Sequence, residues 1–187
     1  MIRNAALLVI LSLATLTSGC ALVAPRYSSS LENVQKLKDS NMQPAKVGNF
    51  TSTPDKGNAN PISIRGSSLN SPYDGSYAKY LGQALEQELS LAGKLSADAQ
   101  MEFSGALQKN DISVPPVGSA SGDLAARFVI TRGGQTRYDQ VKSIHDEWDS
   151  SFVGAVAIPR AQERYPIMVQ KLLSELFTDP AFLQAVK

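Results

Sequence analysis

The chain has 187 residues, of which 43% are hydrophobic, and its 18 basic and 17 acidic side chains give a formal net charge of +1. This near-balance argues against a nucleic-acid-binding or polybasic membrane-binding surface. The single cysteine, Cys20, excludes an intramolecular disulfide, and it excludes thiolate metal sites and cysteine nucleophiles in the rest of the chain. We therefore expect one compact domain that is stabilised by packing alone.

The first residues have the pattern of a secretory signal. Residues 1–4 carry one positive charge, at Arg3, and residues 5–16 form an apolar run. Residues 5–19 contain no charge, but these 15 residues are fewer than the roughly 18 to 20 that a membrane-spanning helix needs. The pattern predicts a signal peptide over residues 1–19 rather than a permanent transmembrane anchor.

The signal ends in Thr17-Ser18-Gly19-Cys20, which resembles the lipobox of bacterial lipoproteins, although that family prefers leucine where this chain has Thr17. The resemblance implies cleavage before Cys20 and a diacyl or triacyl (palmitate-type) anchor on it. In that family an aspartate after the cysteine retains the protein at the inner membrane. Ala21 at this position therefore implies the outer membrane, with the domain facing the periplasm. The alternative is an ordinary secretory signal that ends near a cysteine by chance.

Residues 20–45 are predicted to be a tether that begins with lipidated Cys20. The alternative is a short helix within this segment, because Leu31, Val34 and Leu37 have helical spacing and Ser30 could cap its start. Either structure would place the domain at a distance from the lipid.

The next segment is predicted to contain one short strand, at residues 46–50, followed by a long loop. Residues 51–73 are rich in Ser, Asn, Gly and Pro, which is typical of a surface loop, with one possible strand at 62–65. A loop of this length is often functional or mobile.

The strongest helical pattern covers residues 76–92. Asp74 or Ser76 can cap its start, and Gly93 suits a left-handed position after its end. The residues on its apolar face are Tyr77, Tyr80, Leu81, Ala84, Leu85 and Leu89.

Three strands are predicted after this helix, at about 101–108, 124–131 and 136–148, because apolar and polar residues alternate there. Gly133-Gly134 predicts a tight hairpin between the last two.

A second long helix is predicted to begin at Pro159 and to end near residue 177. Pro166 is expected to kink or restart it. A last helical turn then carries Phe182, Leu183 and Val186.

These elements predict a single α+β domain over residues 46–187. Its expected architecture is a two-layer sandwich with both main helices on one face of an antiparallel or mixed sheet. The element order, with a helix ending in Leu91-Ala92-Gly93-Lys94-Leu95 before a meander, resembles the small α/β domains of periplasmic accessory lipoproteins. Examples are the activators of peptidoglycan synthases and the N-terminal domain of the propeller protein of the Tol system. This resemblance concerns the fold and implies no activity.

His145, the single histidine, is flanked by Asp146, Glu147 and Asp149. A zinc site needs three or four converging ligands, usually with more than one His or Cys. We therefore predict no metal site and no cofactor, and we interpret the cluster as a solvated acidic strand end.

No catalytic motif points to an enzyme. The segment 118–122 resembles a nucleophile elbow, but Ala120 occupies the position that requires serine, and we interpret it as a flexible loop. Glu86 and Glu88 are two residues apart on a helix and do not face each other.

The predicted function is a non-enzymatic binding or accessory role toward another cell-envelope component. The membrane, through the lipid anchor, and an envelope protein or peptidoglycan are the expected partners, with no nucleic acid. The alternative is an auxiliary lipoprotein of a lipid or solute transport system. An exposed edge strand near Gly133-Gly134 would allow β-augmentation. Candidate contact residues are Trp148, Phe152, Ile62, Ile64 and Tyr73, although a tryptophan at a strand end is more often part of the core.

Overall fold

The computed structural model describes residues 21–54 and 57–187. Cys20 and the predicted signal peptide therefore lie outside the described residues. The strands are β1 (Ala21–Val23), β2 (Ala45–Ser52), β3 (Ile62–Ile64), β4 (Ser67–Asn70), β5 (Met101–Ser113), β6 (Ser119–Arg132) and β7 (Gln135–Asp149). The helices are α1 (Leu31–Asp39), α2 (Tyr77–Leu91), α3 (Gly154–Phe177) and α4 (Pro180–Ala185).

The predicted α+β class and helix placement are confirmed. A main sheet has the order β2-β5-β6-β7, in which β2 is parallel to β5 and the remaining pairs are antiparallel. Helix α2 contacts β2 and β5, and α3 contacts β6 and β7, so one face of the sheet is covered. A smaller sheet has the order β1-β4-β3. No helix in the described part of the chain is long and apolar enough to cross a membrane.

The core lies between the main sheet and the two long helices. Side chains alternate along β6, so that every second residue faces the helices and is buried. These residues are Ala120, Leu124, Ala126, Phe128 and Ile130. The predicted apolar face of α2 is buried opposite them, with Ser76 as the helix cap and Gly93 at φ +70° after its end.

The N-terminal segment is folded against the domain rather than extended as a tether. The Ser30 hydroxyl caps α1 by accepting from the Asn33 N–H at 3.3 Å, as the helical alternative predicted. Tyr27 is buried before this helix, and Leu37 is buried within it. Strand β1 pairs in parallel with β4. Residues 21–44 are therefore part of the folded unit, because their apolar side chains pack on α2 and α3.

The segment predicted as a long loop contains the hairpin of β3 and β4. Ile62, Ile64 and Leu69 are all buried, which fixes the hairpin against the core. The sequence predicted only the first of these strands, because β4 is four residues long and three of them are polar.

Helix α3 begins earlier than predicted and continues past its second proline. It starts at Gly154, five residues before Pro159, and runs through Pro166 to Phe177 without interruption. Each proline lacks the N–H that an interior helix position uses. The apolar face remains continuous across both prolines, from Ala157 to Phe177. Packing of this face against the sheet offsets the missing hydrogen bonds.

The long strands exceed their predicted lengths. Strand β5 continues to Ser113 and β6 begins at Ser119, so the segment predicted as a flexible loop at 118–122 is mostly strand. The predicted hairpin is confirmed, since Gly133 and Gly134 have φ values of +56° and +78°.

Candidate functional site: the open edge of the main sheet

Strand β7 forms one edge of the main sheet. Its register with β6 runs from Asp149 opposite Ser119 to Gln135 opposite Arg132. No other strand among the described residues pairs with its far side. Alternate backbone N–H and C=O groups of this 15-residue strand therefore point away from the sheet without a strand partner.

A buried ion cluster fixes β7 to α3. The Asp146 carboxylate is almost fully buried and accepts from Arg164 Nε at 2.6 Å and Lys171 Nζ at 2.5 Å. Burial alone would raise the pKa of Asp146, but the hydrogen bonds and charges of the two cations outweigh it and lower that pKa. The interpretation of this residue as a solvated strand end is wrong, because its side chain points toward the helix.

A second cluster fixes the other half of the strand to α4. The Asp179 carboxylate accepts from the Tyr138 hydroxyl at 2.7 Å and from Lys142 Nζ at 2.5 Å, and it also caps α4. Burial alone would raise the pKa of Asp179, but the hydrogen bonds from Lys142 and Tyr138 outweigh this effect, and the pKa is lowered. The edge is thus held in place from two helices.

The solvent face of the sheet beside this edge is polar. His145 Nδ1 lies 2.9 Å from Asp123 Oδ1, and Lys109 Nζ lies 3.2 Å from the other oxygen of the same carboxylate. The His145 side chain is 59% exposed, and no described hydroxyl forms a hydrogen bond with it. Within the described ranges, no group of three or more His, Cys, Asp or Glu side chains could hold a metal ion.

The structure separates the predicted contact residues into four environments, of which three are occupied by Trp148, Phe152 and the pair of isoleucines. Trp148, near the end of β7, is half-buried against the core with the Arg164 guanidinium 5.7 Å from its ring centroid. Phe152, in the loop that follows, is 79% exposed. The prediction that Ile62 and Ile64 are surface contacts is wrong, because both side chains are buried in the core.

Tyr73 lies elsewhere, on an open cleft between β2 and α2. Its ring packs edge-to-face on Tyr80 at 5.2 Å, and Arg26 lies 5.3 Å from its centroid. The cleft has a volume of about 510 Å³ and is lined by apolar, acidic and basic side chains, including Phe50 and Lys79. Cys20, the predicted lipidation site, lies outside the described residues.

Arg65 is a structural residue that the sequence did not reveal. Its guanidinium donates hydrogen bonds to the carbonyls of Val114 at 2.9 Å, Pro115 at 2.6 Å and Ser151 at 2.7 Å. It also reaches the carbonyl of Phe152 at 3.2 Å. These acceptors are backbone groups far away in sequence, so no local pattern could have indicated them.

No protein-family model matches the chain, and no curated protein resembles its sequence significantly. Solved structures do resemble the fold. A Xanthomonas campestris protein described by the family model DUF330 superposes with a TM-score of 0.59 at 6% identity, over 88% of this chain and 96% of that one. A hypothetical protein from Chlamydia trachomatis gives a TM-score of 0.48 at 10% identity, over 72% of this chain and 92% of that one. A minor lipoprotein from Acinetobacter baumannii gives a TM-score of 0.42 at 10% identity, over 73% of this chain and 91% of that one. The first of these likenesses shows a shared fold and, at this identity, nothing about activity.

Proposed function

We propose that this chain is a lipid-anchored protein of the outer membrane that faces the periplasm and binds another envelope component without catalysing a reaction. The anchor rests on the apolar signal, the lipobox-like Thr17-Ser18-Gly19-Cys20 and the small residue Ala21 after it. Two or more acyl chains on Cys20 would give stable membrane attachment.

The open edge of β7 is the observation that supports binding. A long, unpaired edge is a template onto which an extended segment of another protein can add as a strand. Main-chain hydrogen bonds supply the affinity in this mode, and the exposed alternate side chains supply selectivity. Asp146 on β7 is held by Arg164 and Lys171 of α3, and Asp179 at the start of α4 holds Tyr138 and Lys142 of β7. The edge is therefore preformed, and little ordering entropy is lost on binding. We propose an extended segment of an envelope protein as the occupant.

The transport alternative in which this domain itself holds a hydrophobic ligand has less support. Such a ligand needs an apolar cavity between the helices and the sheet. The described core fills this layer with side chains such as Phe103, Leu172 and Phe177, all buried, and the open cleft at Tyr73 carries charged groups. An auxiliary role in a transport system would therefore act through protein contact.

Site-specific crosslinking in cells tests the proposal. A photo-reactive amino acid at Ser143, exposed on β7, is compared with the same amino acid at Gln87, exposed on α2. We expect one dominant crosslinked protein from Ser143, absent from Gln87 and lost when Cys20→Ala removes the anchor.

Equal crosslinking from both positions, or none from Ser143, would contradict binding at this edge. Recovery of the anchored chain alone with a bound lipid would instead favour the ligand-carrying alternative.

A further inference from the structure

The chain enters the described structure at one end of the small sheet. Ala21 pairs in parallel with Ser68, and Val23 pairs with Asn70. From Val23 back toward residue 20, the chain therefore runs beside β4 toward the start of that strand. Consecutive Cα atoms are about 3.8 Å apart, so a lipid on Cys20 would be attached directly beside this end of the domain, without a spacer.

Contacts with α3 locate the same end independently. The Val23 carbonyl accepts from the Gln162 side chain, and the Ser28 carbonyl accepts from Gln170 at 2.7 Å. The N-terminal segment thus follows α3 toward the helix C-terminus. In the reverse direction, from Ser28 to Val23, the chain runs toward the first turns of α3.

Two loops lie at this end, held by the Arg65 side chain. Arg65 belongs to the turn between β3 and β4, just before the strand that pairs with β1. Its guanidinium hydrogen-bonds the loop at 114–118 and the loop at 150–153. The second loop leads directly into α3. The turn, both loops and the start of α3 therefore surround the point where the chain leads to Cys20.

These segments carry a group of exposed apolar side chains, which we call the apolar end. They are Val117 and Phe152, each 79% exposed, Val153, 55% exposed, and Val156, 45% exposed. Phe152 is the one exposed aromatic side chain in the part of the chain that the structure describes, since the others are buried or half-buried. Exposed apolar groups of this kind, clustered rather than scattered, indicate an interaction surface.

The apolar end is also nearly free of charge. Residues 112–122 and 150–159 contain no Asp, Glu, Lys or Arg, and the same is true of residues 66–73. The one cation within these segments, Arg65, already donates to backbone carbonyls. The exposed charges of Asp149 and Arg160 flank the second of them and would lie at the border of the contact. Contact of the four apolar side chains with hydrocarbon would therefore require little desolvation of charged groups.

We propose that the apolar end inserts into the lipid–water interface of the membrane that holds the acyl chains of Cys20. The proposal rests on the anchor assigned under the proposed function, because acyl chains on Cys20 must enter the bilayer within one residue of β1. Burial of Phe152 and the three valines adds to the attachment that the acyl chains supply. It also fixes which end of the domain faces the lipid.

A fluorophore at position 152 tests this contact in the full-length protein. Cys20 is the single native cysteine and carries acyl chains in the proposal, so Phe152→Cys introduces the one free thiol for an environment-sensitive nitrobenzoxadiazole label. Gln87→Cys on α2 is the matched control. Each acylated protein is reconstituted into vesicles of phosphatidylethanolamine and phosphatidylglycerol, with and without nitroxide-labelled lipid.

We expect the label at 152, but not at 87, to show a blue-shifted emission, quenching by nitroxide lipid and loss of quenching by iodide. Equal iodide quenching at both positions in an anchored protein would overturn the proposal. Protection in native membranes that is absent from these protein-free vesicles would overturn it in favour of a protein partner.

The mass of the N-terminal peptide, measured on the same samples, separates the proposed lipid anchor on Cys20 from the proposed membrane contact of the apolar end. An unacylated Cys20 would contradict the anchor, and the apolar end is then tested by adding the same vesicles to the unmodified chain. Failure of the 152 label to enter lipid in that case would overturn the membrane contact as well.

Discussion

Glu88 is a buried carboxyl group that holds the N-terminal segment to α2. Its Oε1 accepts from the Tyr27 hydroxyl at 2.5 Å and from the Ser30 N–H at 3.0 Å. No Lys or Arg of the described residues forms an ion pair with it, and Oε2 is buried without a hydrogen-bond partner. Burial therefore raises the pKa of Glu88, although the Tyr27 hydroxyl, the Ser30 N–H and the nearby Asn33 side chain oppose this shift.

The raised pKa predicts how stability depends on pH. The folded state favours protonated Glu88. The contribution of this group to the free energy of unfolding is therefore fully present at pH values below its ordinary pKa of 4.5, and it is lost as the pH rises through the pKa of the folded state. Each unit of upward shift corresponds to about 1.4 kcal/mol. Asp146 has a lowered pKa and acts in the opposite direction, losing its contribution as the pH falls below 3.8. The wild-type pH profile alone would therefore mix both effects.

The Glu88→Gln substitution isolates the first effect. Gln keeps the carbonyl acceptor but cannot ionise, so we expect the free energy of unfolding of the variant, relative to wild type, to increase as the pH rises above 4.5. Urea unfolding of both proteins across this range measures the difference. A difference that stays constant would show that Glu88 is not perturbed.

Among the elements, α2 was predictable and the small sheet was not. Helix α2 has a regular apolar period, a cap at Ser76 and a left-handed Gly93, and each of these signals is local. Strands β1 and β4 have three and four residues, too few for a local pattern, and they are held by pairing within the small sheet. The turn of β3 and β4 is in addition fixed by Arg65, whose acceptors lie 49 to 87 residues away. The sequence also shows that Trp148 and Phe152 are close along the chain. Only the packed structure shows that Trp148 packs against the core while Phe152 faces the solvent.

The pairing of β2, β5 and β6 requires a glycine at position 105. Gly105 lies opposite Phe50 on β2 and Phe128 on β6. A Cβ here would collide with the Arg127 carbonyl and with the Phe50 ring. That ring packs edge-to-face on Phe128 at 6.2 Å, and the Arg127 carbonyl belongs to the backbone of β6, so relief of this collision requires a strand to shift.

We therefore expect Gly105→Ala to lower the free energy of unfolding by about 1–3 kcal/mol, because backbone and ring must both shift. Ser104→Ala on the same strand should change it by less than about 0.5 kcal/mol. Chemical denaturation of the two variants gives the comparison. Equal, small effects would show that the sheet accommodates the extra methyl group.

Arg65 connects three segments of the apolar end, and its guanidinium geometry is specific. Lysine has a single ammonium group and cannot reach the carbonyls of Val114, Ser151 and Phe152 together. We expect Arg65→Lys to increase amide hydrogen exchange at 114–118 and 150–153, while exchange in α2 stays slow.

Arg160→Lys is the matched control for this prediction, since Arg160 makes one hydrogen bond, to the Asp149 carbonyl. Unchanged exchange in both loops of the Arg65 variant would show that other contacts hold them.

At the scale of the whole molecule, the membrane contact and the open sheet edge have a defined relation. Strand β7 ends at Asp149, just before the apolar end, and begins at Gln135 beside the hairpin at the other end of the sheet. Its 15 residues span roughly 45–50 Å at 3.3 Å per residue. In the proposed orientation the edge therefore extends away from the lipid into the periplasm, where a partner anchored elsewhere could pair with it. A flexible tether over residues 20–45, which the sequence predicts and the folded N-terminal segment replaces, would remove this fixed orientation.

The mass of the N-terminal peptide from the protein purified out of cell membranes tests the lipid anchor on which the proposed function and the membrane contact both depend. We expect a mature chain that begins at Cys20, carries two or three acyl chains and is recovered from the outer membrane. A chain that begins at another residue, or that begins at Cys20 with a free thiol, would contradict the anchor and the orientation derived from it.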